Sequence, residues 1–307
     1  MQKVLFVLGS CLAVILFLLP YCYEHVKAAL EQEPVLTSES GDTIHDIAQL
    51  APPRNFHLKG DDRAKSVPVL LYHRILASHE LAPTHYGADG TLSSTLITAD
   101  QFKKQMNYLQ ANHYTTLSLS EFKAFMISGE PVPEKSVLIT FDDGHKDNMV
   151  HAYPILRKNE QRAALFLITS EIRRSKEGYY PEKVQFASAP ELETAADVFD
   201  YASHTHDYHQ TDQQNAAFLV SRTEKEIVED LNYSIAMLGG AEALAYPYGE
   251  KDRESVHAAR KAGFQLGFSV NSGTAVPGKK LMEIPRNVIQ STTSMEDFIY
   301  LIEQNSK

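Results

Sequence analysis

The 307-residue chain has no tryptophan and only two cysteines, Cys11 and Cys22, both within its apolar N-terminal stretch. The body can therefore hold neither a disulfide framework nor a thiolate metal site, and any metal there falls to His, Asp or Glu. Stacking on a sugar ring, without tryptophan, falls to Tyr, Phe or apolar side chains. Basic charge is also scarce. Lys and Arg number 29 against 39 Asp and Glu, a formal charge of −10, so no basic field is available to hold phosphates. Nucleic acid is excluded as a partner on that ground. Internal repeats and low-complexity tracts are missing too, which argues against a repeat-built surface adhesin.

One long apolar run stands out. Lys3 precedes Val4–Tyr23, about twenty residues without a formal charge. That length suits a single membrane-spanning helix. It equally suits a secretory apolar region ending at Pro20, with Val26-Lys27-Ala28 as a small-residue cleavage site. Residues 1–28 are therefore read as a signal peptide or membrane anchor, and either places the rest of the chain outside the cell. Residues 29–66 are mixed and polar, punctuated by Pro34, Pro52 and Pro53, and read as a linker. A folded body is expected over residues 67–307.

Within the body, short apolar runs alternate with helical periods. Val67–Tyr72, Val137–Phe141 and Ala163–Ile168 read as buried strands, and Tyr114–Leu119, Ala243–Tyr246, Leu266–Val270 and Ile284–Ile289 as further strands, while Phe199–Ser203 leads into a cluster of histidines. Thr98 is placed to cap a helix through Leu109, and Ser120 one carrying Phe122 and Phe125. Ala152–Asn159, Thr223–Leu238, Ser255–Ala262 and Met295–Glu303 complete the helices. The alternation predicts an α/β architecture, a barrel or a distorted form of one.

Four segments could carry chemistry. Phe141-Asp142-Asp143-Gly144 puts two carboxylates at a strand's end, where alternation sends them in different directions. One can ligate a metal while its neighbour acts as a base, although a bare Asp-Asp-Gly is also an ordinary solvated turn. His204, His206 and His209 fall within six residues. On a regular helix His204 and His209 would lie roughly 140° apart, whereas His206 and His209 form the ordinary helical pair, so spacing alone leaves the ligands open. His73 closes the first body strand. Tyr246-Pro247-Tyr248-Gly249 offers rings and a tight turn after a short strand.

Taken together, these segments resemble the polysaccharide deacetylases of the NodB-homology type, carbohydrate esterases that remove N-acetyl groups from chitin, peptidoglycan and exopolysaccharides. Thr140-Phe141-Asp142-Asp143-Gly144 is similar to the family's first motif, His204-Thr205 opens the second, and Tyr246–Gly249 resembles the third. The resemblance implies Asp142 as general base, Asp143, His204 and His209 as ligands of a divalent metal (zinc, with cobalt or nickel as substitutes), and Tyr246, Pro247 and Tyr248 at the substrate. The five-residue step from His204 to His209 and the upstream position of His73 resemble the branch that acts on poly-β-1,6-N-acetylglucosamine, whose motif order is circularly permuted. In that branch His73 takes the part of the acid. The arginine expected before the third motif is replaced here by Leu244 and Ala245, and Arg286 is the candidate to orient Asp142 in its stead. The implied fold is a distorted (β/α) barrel over 67–307, and the implied partners are an N-acetylglucosamine polysaccharide and, through the N-terminal segment, the membrane. A peptidoglycan or chitin-type deacetylase would use the same residues. A sugar-binding module without turnover would have no need of the whole set.

Overall fold

Val67–Tyr72 is buried at every position, and the other long strands read in the same way, as apolar runs without alternation. Such runs belong to parallel strands covered on both faces. In the computed structural model, which describes residues 52–58 and 62–303, they form one curled sheet. Its strands are β1 (Val67–Tyr72), β4 (Thr115–Thr116), β5 (Ser136–Phe141), β6 (Ala163–Leu167), β7 (Phe199–Ser203), β8 (Ala243–Ala245), β9 (Leu266–Phe268), β10 (Thr274–Ala275) and β11 (Asn287–Val288). Two short strands, β2 (Arg74–Leu76) and β3 (Leu96–Thr98), pair apart from it. The helices that matter below are α1 (Ala99–Ala111), α2 (Leu119–Ser128), α3 (Tyr153–Lys158), α4 (Ala189–Ala195), α5 (Glu224–Met237), α6 (Arg253–Ala262) and α7 (Met295–Glu303).

The sheet runs β1-β5-β6-β7-β8-β9 with every neighbour parallel. Its two edges are joined by the chain's late segment. Ile284 bonds to β9 through Gly267 and Ser269, each at 2.8 Å, and a few residues on Asn287 and Val288 pair in parallel with Leu70 and Leu71 of β1. The result is the distorted α/β barrel expected from the alternation.

Side-chain parity divides the core. Leu70, Tyr72, Ile139, Phe141, Leu165 and Tyr201 face outward to α1, α3, α4 and α7, meeting Phe102, Met106, Leu156, Leu192 and Phe298. Val69, Leu138, Phe166, Ala202, Ala245 and Phe268 face the interior. Phe122 and Phe125 of α2 join that inner cluster near the strands' N-terminal ends, where Asp200 accepts the Leu119 N–H at 2.6 Å.

Several boundaries moved from expectation. The cap of α2 is Ser118, not Ser120, because only Ser118 has a glutamate three residues on, and Ser118 and Glu121 bond reciprocally. The Tyr114–Leu119 and Ile284–Ile289 strands shrink to β4 and β11. Part of the stretch read as a linker is also tied to the body. Arg54 grips Glu121 with Nε and Nη2 at 2.7 and 2.8 Å, and Ala64 N–H donates to Val132 O. Residues 1–51, including the whole of the apolar run, lie outside the described residues, as do 59–61 and 304–307. Among the described residues no helix is long and apolar enough to cross a membrane.

Candidate active site

His73, Asp142 and His204 each follow the last residue of a barrel strand, and each continues the inward parity of its strand. Val69, Leu138 and Ala202 point into the barrel, and so do positions an even number of residues further on. Strand ends alone thus bring an imidazole, a carboxylate and a second imidazole to the barrel's C-terminal mouth, the edge where such folds carry their chemistry. Asp143 has the wrong parity and reaches the same point by a backbone turn. Its φ is 73° and that of Gly144 is 82°. A side chain at Gly144 would be strained there and would place its Cβ 2.7 Å from Leu167 Cδ2.

The turn aims Asp143 Oδ1 at two imidazoles, 3.4 Å from Nε2 of His204 and 3.4 Å from Nε2 of His209. One donor atom from each of the three residues lies within 4.8 Å of the others. His204 Nδ1–H donates to the Ala245 carbonyl at 2.8 Å, which leaves the Nε2 lone pair facing the carboxylate. Asp143 Oδ1 is shielded from solvent yet has no hydrogen-bond partner among the described residues. A buried, unpartnered carboxylate oxygen facing two nitrogen lone pairs fits a divalent cation, and two imidazoles with one carboxylate suit zinc and its neighbours. Where spacing left two pairings of histidines open, the structure brings His204 and His209 to Asp143 and turns His206 away, to share a hydrogen bond with Thr169 Oγ1 at 3.0 Å and lie against the Tyr233 ring.

Charge in the cluster is ordered by burial and pairing. Burial works against an ionised Asp143, but His145 and His204 outweigh it and hold its carboxyl well below the usual range. Burial, then the neighbouring His204, push His209 down to about 4, so it is neutral and free to ligate at neutral pH. His145 is the residue that sequence reasoning missed. Its Nε2–H donates to Asp143 Oδ2 at 3.0 Å and its ring stacks on Phe186. Its place two residues after Asp143, in a turn, was the available signal.

Asp142 is held differently. Arg286, fully buried, forks onto it with Nη1 to Oδ1 and Nη2 to Oδ2, both at 2.7 Å, while its Nε–H donates to Ser269 O. Burial opposes the charged carboxylate, but the guanidinium outweighs that penalty and holds Asp142 below its ordinary value. His73 stands nearby, its Nδ1 shielded and without a partner among the described residues. Burial lowers its pKa, although Asp143 and Asp142 pull the other way.

The third segment requires a correction. Tyr246 and Pro247 do not line the mouth. Tyr246 shares the outward parity of Leu244 and is buried with Ile227 and Leu231 of α5, and Pro247 is buried as well. Only Tyr248 reaches the site. It is 48% exposed, its ring centroid is 4.6 Å from that of His209, and its hydroxyl donates to His209 O at 3.1 Å. Elsewhere, Tyr180 is exposed, whereas Tyr179 is partly buried and bonds Glu80.

A parallel α/β barrel that gathers a cation site and an arginine-clamped carboxylate at its C-terminal mouth has the equipment of a hydrolase. Comparison with known proteins narrows the class. Residues 129–267 match the polysaccharide deacetylase family. The chain thus carries a polysaccharide deacetylase domain, a hydrolase acting on N-acetyl amide bonds. The matched stretch contains Asp142, Asp143, His204, His209 and Tyr248, and leaves His73 and Arg286 outside, one on each side.

A poly-β-1,6-N-acetyl-D-glucosamine N-deacetylase of Staphylococcus aureus is 28% identical over 262 residues, which are 82% of this chain and 86% of the relative. Among solved structures, IcaB from Ammonifex degensii superposes with a TM-score of 0.64 at 24% identity, covering 80% of this chain and 99% of that one. The Streptococcus pyogenes deacetylase PplD, solved in complex with acetate, gives 0.65 at 22% identity, covering 78% and 99%. At those identities the two structures speak for the fold.

Proposed function

We propose that this protein is a metal-dependent deacetylase acting outside the cell on poly-β-1,6-N-acetylglucosamine, which it de-N-acetylates in part during biofilm formation. The observation that carries the reading is the division of labour between adjacent carboxylates: Asp143 faces His204 and His209, while Asp142 is clamped by Arg286. The S. aureus relative, aligned over most of both chains, supports the polymer. The uncharged run near the N-terminus supports the location.

Asp143, His204 and His209 would hold the metal, with zinc favoured by the donor set. When bound, such an ion polarises the acetyl carbonyl and acidifies water. The residues then divide the proton work. Asp142 takes a proton from the attacking water, whose oxygen bonds to the carbonyl carbon. Arg286 fixes that carboxylate and keeps it ionised. When the C–N bond breaks, the departing amine needs a proton, and His73 supplies it. A buried imidazole with a lowered pKa gives up its proton readily once charged. Tyr248, exposed beside His209, presents its ring to the sugar. Acetate and a glucosamine amine are the products.

The test is acetate release from matched β-1,6- and β-1,4-linked N-acetylglucosamine oligomers, before and after chelation. Faster release from the β-1,6 series, lost on chelation and restored by Zn²⁺, is expected. Equal or faster release from the β-1,4 series would overturn the substrate, and chelator-resistant release would overturn the metal.

A further inference from the structure

The convergence of His204 and His209 needs an explanation that their spacing does not supply. Five residues apart, they would diverge on a helix, and yet both Nε2 atoms stand 3.4 Å from one carboxylate oxygen. The connecting backbone is bent at Thr205, whose φ is 74° although it carries a β-branched side chain, a costly conformation unless its surroundings impose it. The surroundings are visible on both sides of the turn. On one side, the first turns after β6 pin it: His204 N–H donates to Leu167 O at 2.8 Å, and the carbonyls of Thr205 and His206 accept from Thr169 and Ser170 N–H at 3.1 Å.

On the other side lies one face of α5. Asp230, 6% exposed, accepts the His206 N–H on Oδ2 at 2.9 Å and the Asp207 N–H on Oδ1 at 2.7 Å. One helical turn later, Ser234 Oγ bonds Ser203 Oγ at 2.7 Å, and Ser203 Oγ accepts the Thr205 N–H at 3.1 Å. Three consecutive backbone donors are thus gathered by two side chains, Asp230 of α5 and Ser203 at the end of β7, and Ser234 of the same helix α5 holds Ser203. We propose that Asp230 is a positioning residue for the metal site: its carboxylate, by holding the backbone of His206 and Asp207, sets the turn that makes a five-residue step between His204 and His209 a chelating one. The inference rests on the metal-site reading above.

This role also accounts for His206. It sits at the apex of the turn, its N–H on Asp230 and its ring on Thr169 and Tyr233, outside the cluster of Asp143, His204 and His209. A carboxylate, unlike a hydroxyl, offers two oxygens that can accept two adjacent N–H groups together. Burial opposes the charge, raising Asp230 to about 6, and the N–H donors counter it, so the group remains an anion at neutral pH.

The test is cation affinity in the full chain, measured by Zn²⁺ titration against a competing chelator for the wild type, Asp230→Ala and the isosteric Asp230→Asn. Groups that orient metal ligands alter affinity by ~10–100-fold when removed. Both variants should bind Zn²⁺ at least ~10-fold more weakly, and Co²⁺ substituted in its place should show a changed absorption spectrum. Saturating Zn²⁺ should restore kcat, with KM for a β-1,6 oligomer unchanged. A merely structural cap would lower Tm and leave affinity and spectrum as in the wild type, and that result overturns the proposal. If Asp230→Ala does not fold, Asp230→Asn alone decides. A wild type that binds no divalent cation would instead overturn the metal-site reading itself.

Discussion

The adjacent aspartates of this site point to different partners. Asp142 ends in the two-toothed grip of Arg286, whereas Asp143 leaves one oxygen on His145 and the other without a hydrogen-bond partner among the described residues. Asp142→Asn should therefore keep Zn²⁺ affinity within a few-fold of the wild type, while acetate release falls by at least ~10²–10⁴, the usual worth of a positioned proton acceptor. His73→Ala should behave alike. Chelator competition and acetate assays on the same preparations check both, and loss of bound metal in either would mean that base or acid had been confused with ligand. Arg286→Lys is a sharper probe, since an ammonium cannot form the parallel pair of bonds. It should lower kcat without altering Zn²⁺ affinity. At this scale the resemblance pointed to His73, Asp142 and His204, and strand parity, once the strands are placed, accounts for their shared inward direction. The same count would have sent Tyr246 outward with Leu244, had the aromatic run not been treated as one unit. His145 was less legible, because it follows a turn and pairs only as an isolated bridge with Phe186, forty-one residues on, so no strand parity leads to it.

Elements were legible through their caps and apolar runs. Thr98, Thr223 and Gly263 mark ends that the structure keeps. What was hidden is how elements hold one another, since a contact such as that between α5 and the histidine turn spans two dozen residues and leaves no local pattern. Its energetics give a pH prediction. The carboxyl of Asp230 sits at about 6 in the fold, against ~3.9 for an unfolded aspartate. Between those values the native state binds its proton more tightly than the unfolded chain does. This group's contribution to stability is therefore full below pH ~4 and lost as pH rises through ~6, by roughly 3 kcal/mol in all. Urea denaturation of the metal-free wild type and Asp230→Asn from pH 4 to 7.5 checks it: the wild type should lose ground to the variant as pH rises. A difference that is flat across the window would show that burial does not perturb this carboxyl.

For the whole molecule, residues ahead of the boundary expected at 67 bond to the body. Pro52 and Pro53 read as linker punctuation, yet the next residue, Arg54, forks onto the buried Glu121 at the start of α2. A protein beginning at Val67 would leave that carboxylate short of its partner. It should unfold at lower urea than one beginning at Pro52, by about 1–2 kcal/mol once the half-exposed guanidinium is discounted for solvent screening. Arg54→Ala in the longer protein should reproduce most of the loss. Equal midpoints for all three would place the boundary back at residue 67.

The segment that joins the sheet's two edges bears on when the catalyst comes into being. A ribosome releases chains from the N-terminus onward, and β1 with His73 is among the first parts of the barrel to emerge. Its partner β11 and the guanidinium of Arg286 come more than two hundred residues later. Until then β1 lacks a neighbour along one side, and Asp142 is a buried acid without its counter-charge. On the reading proposed above, a nascent chain stalled short of residue 286 would carry Asp142, Asp143, His73, His204 and His209 and still lack the guanidinium that orients Asp142.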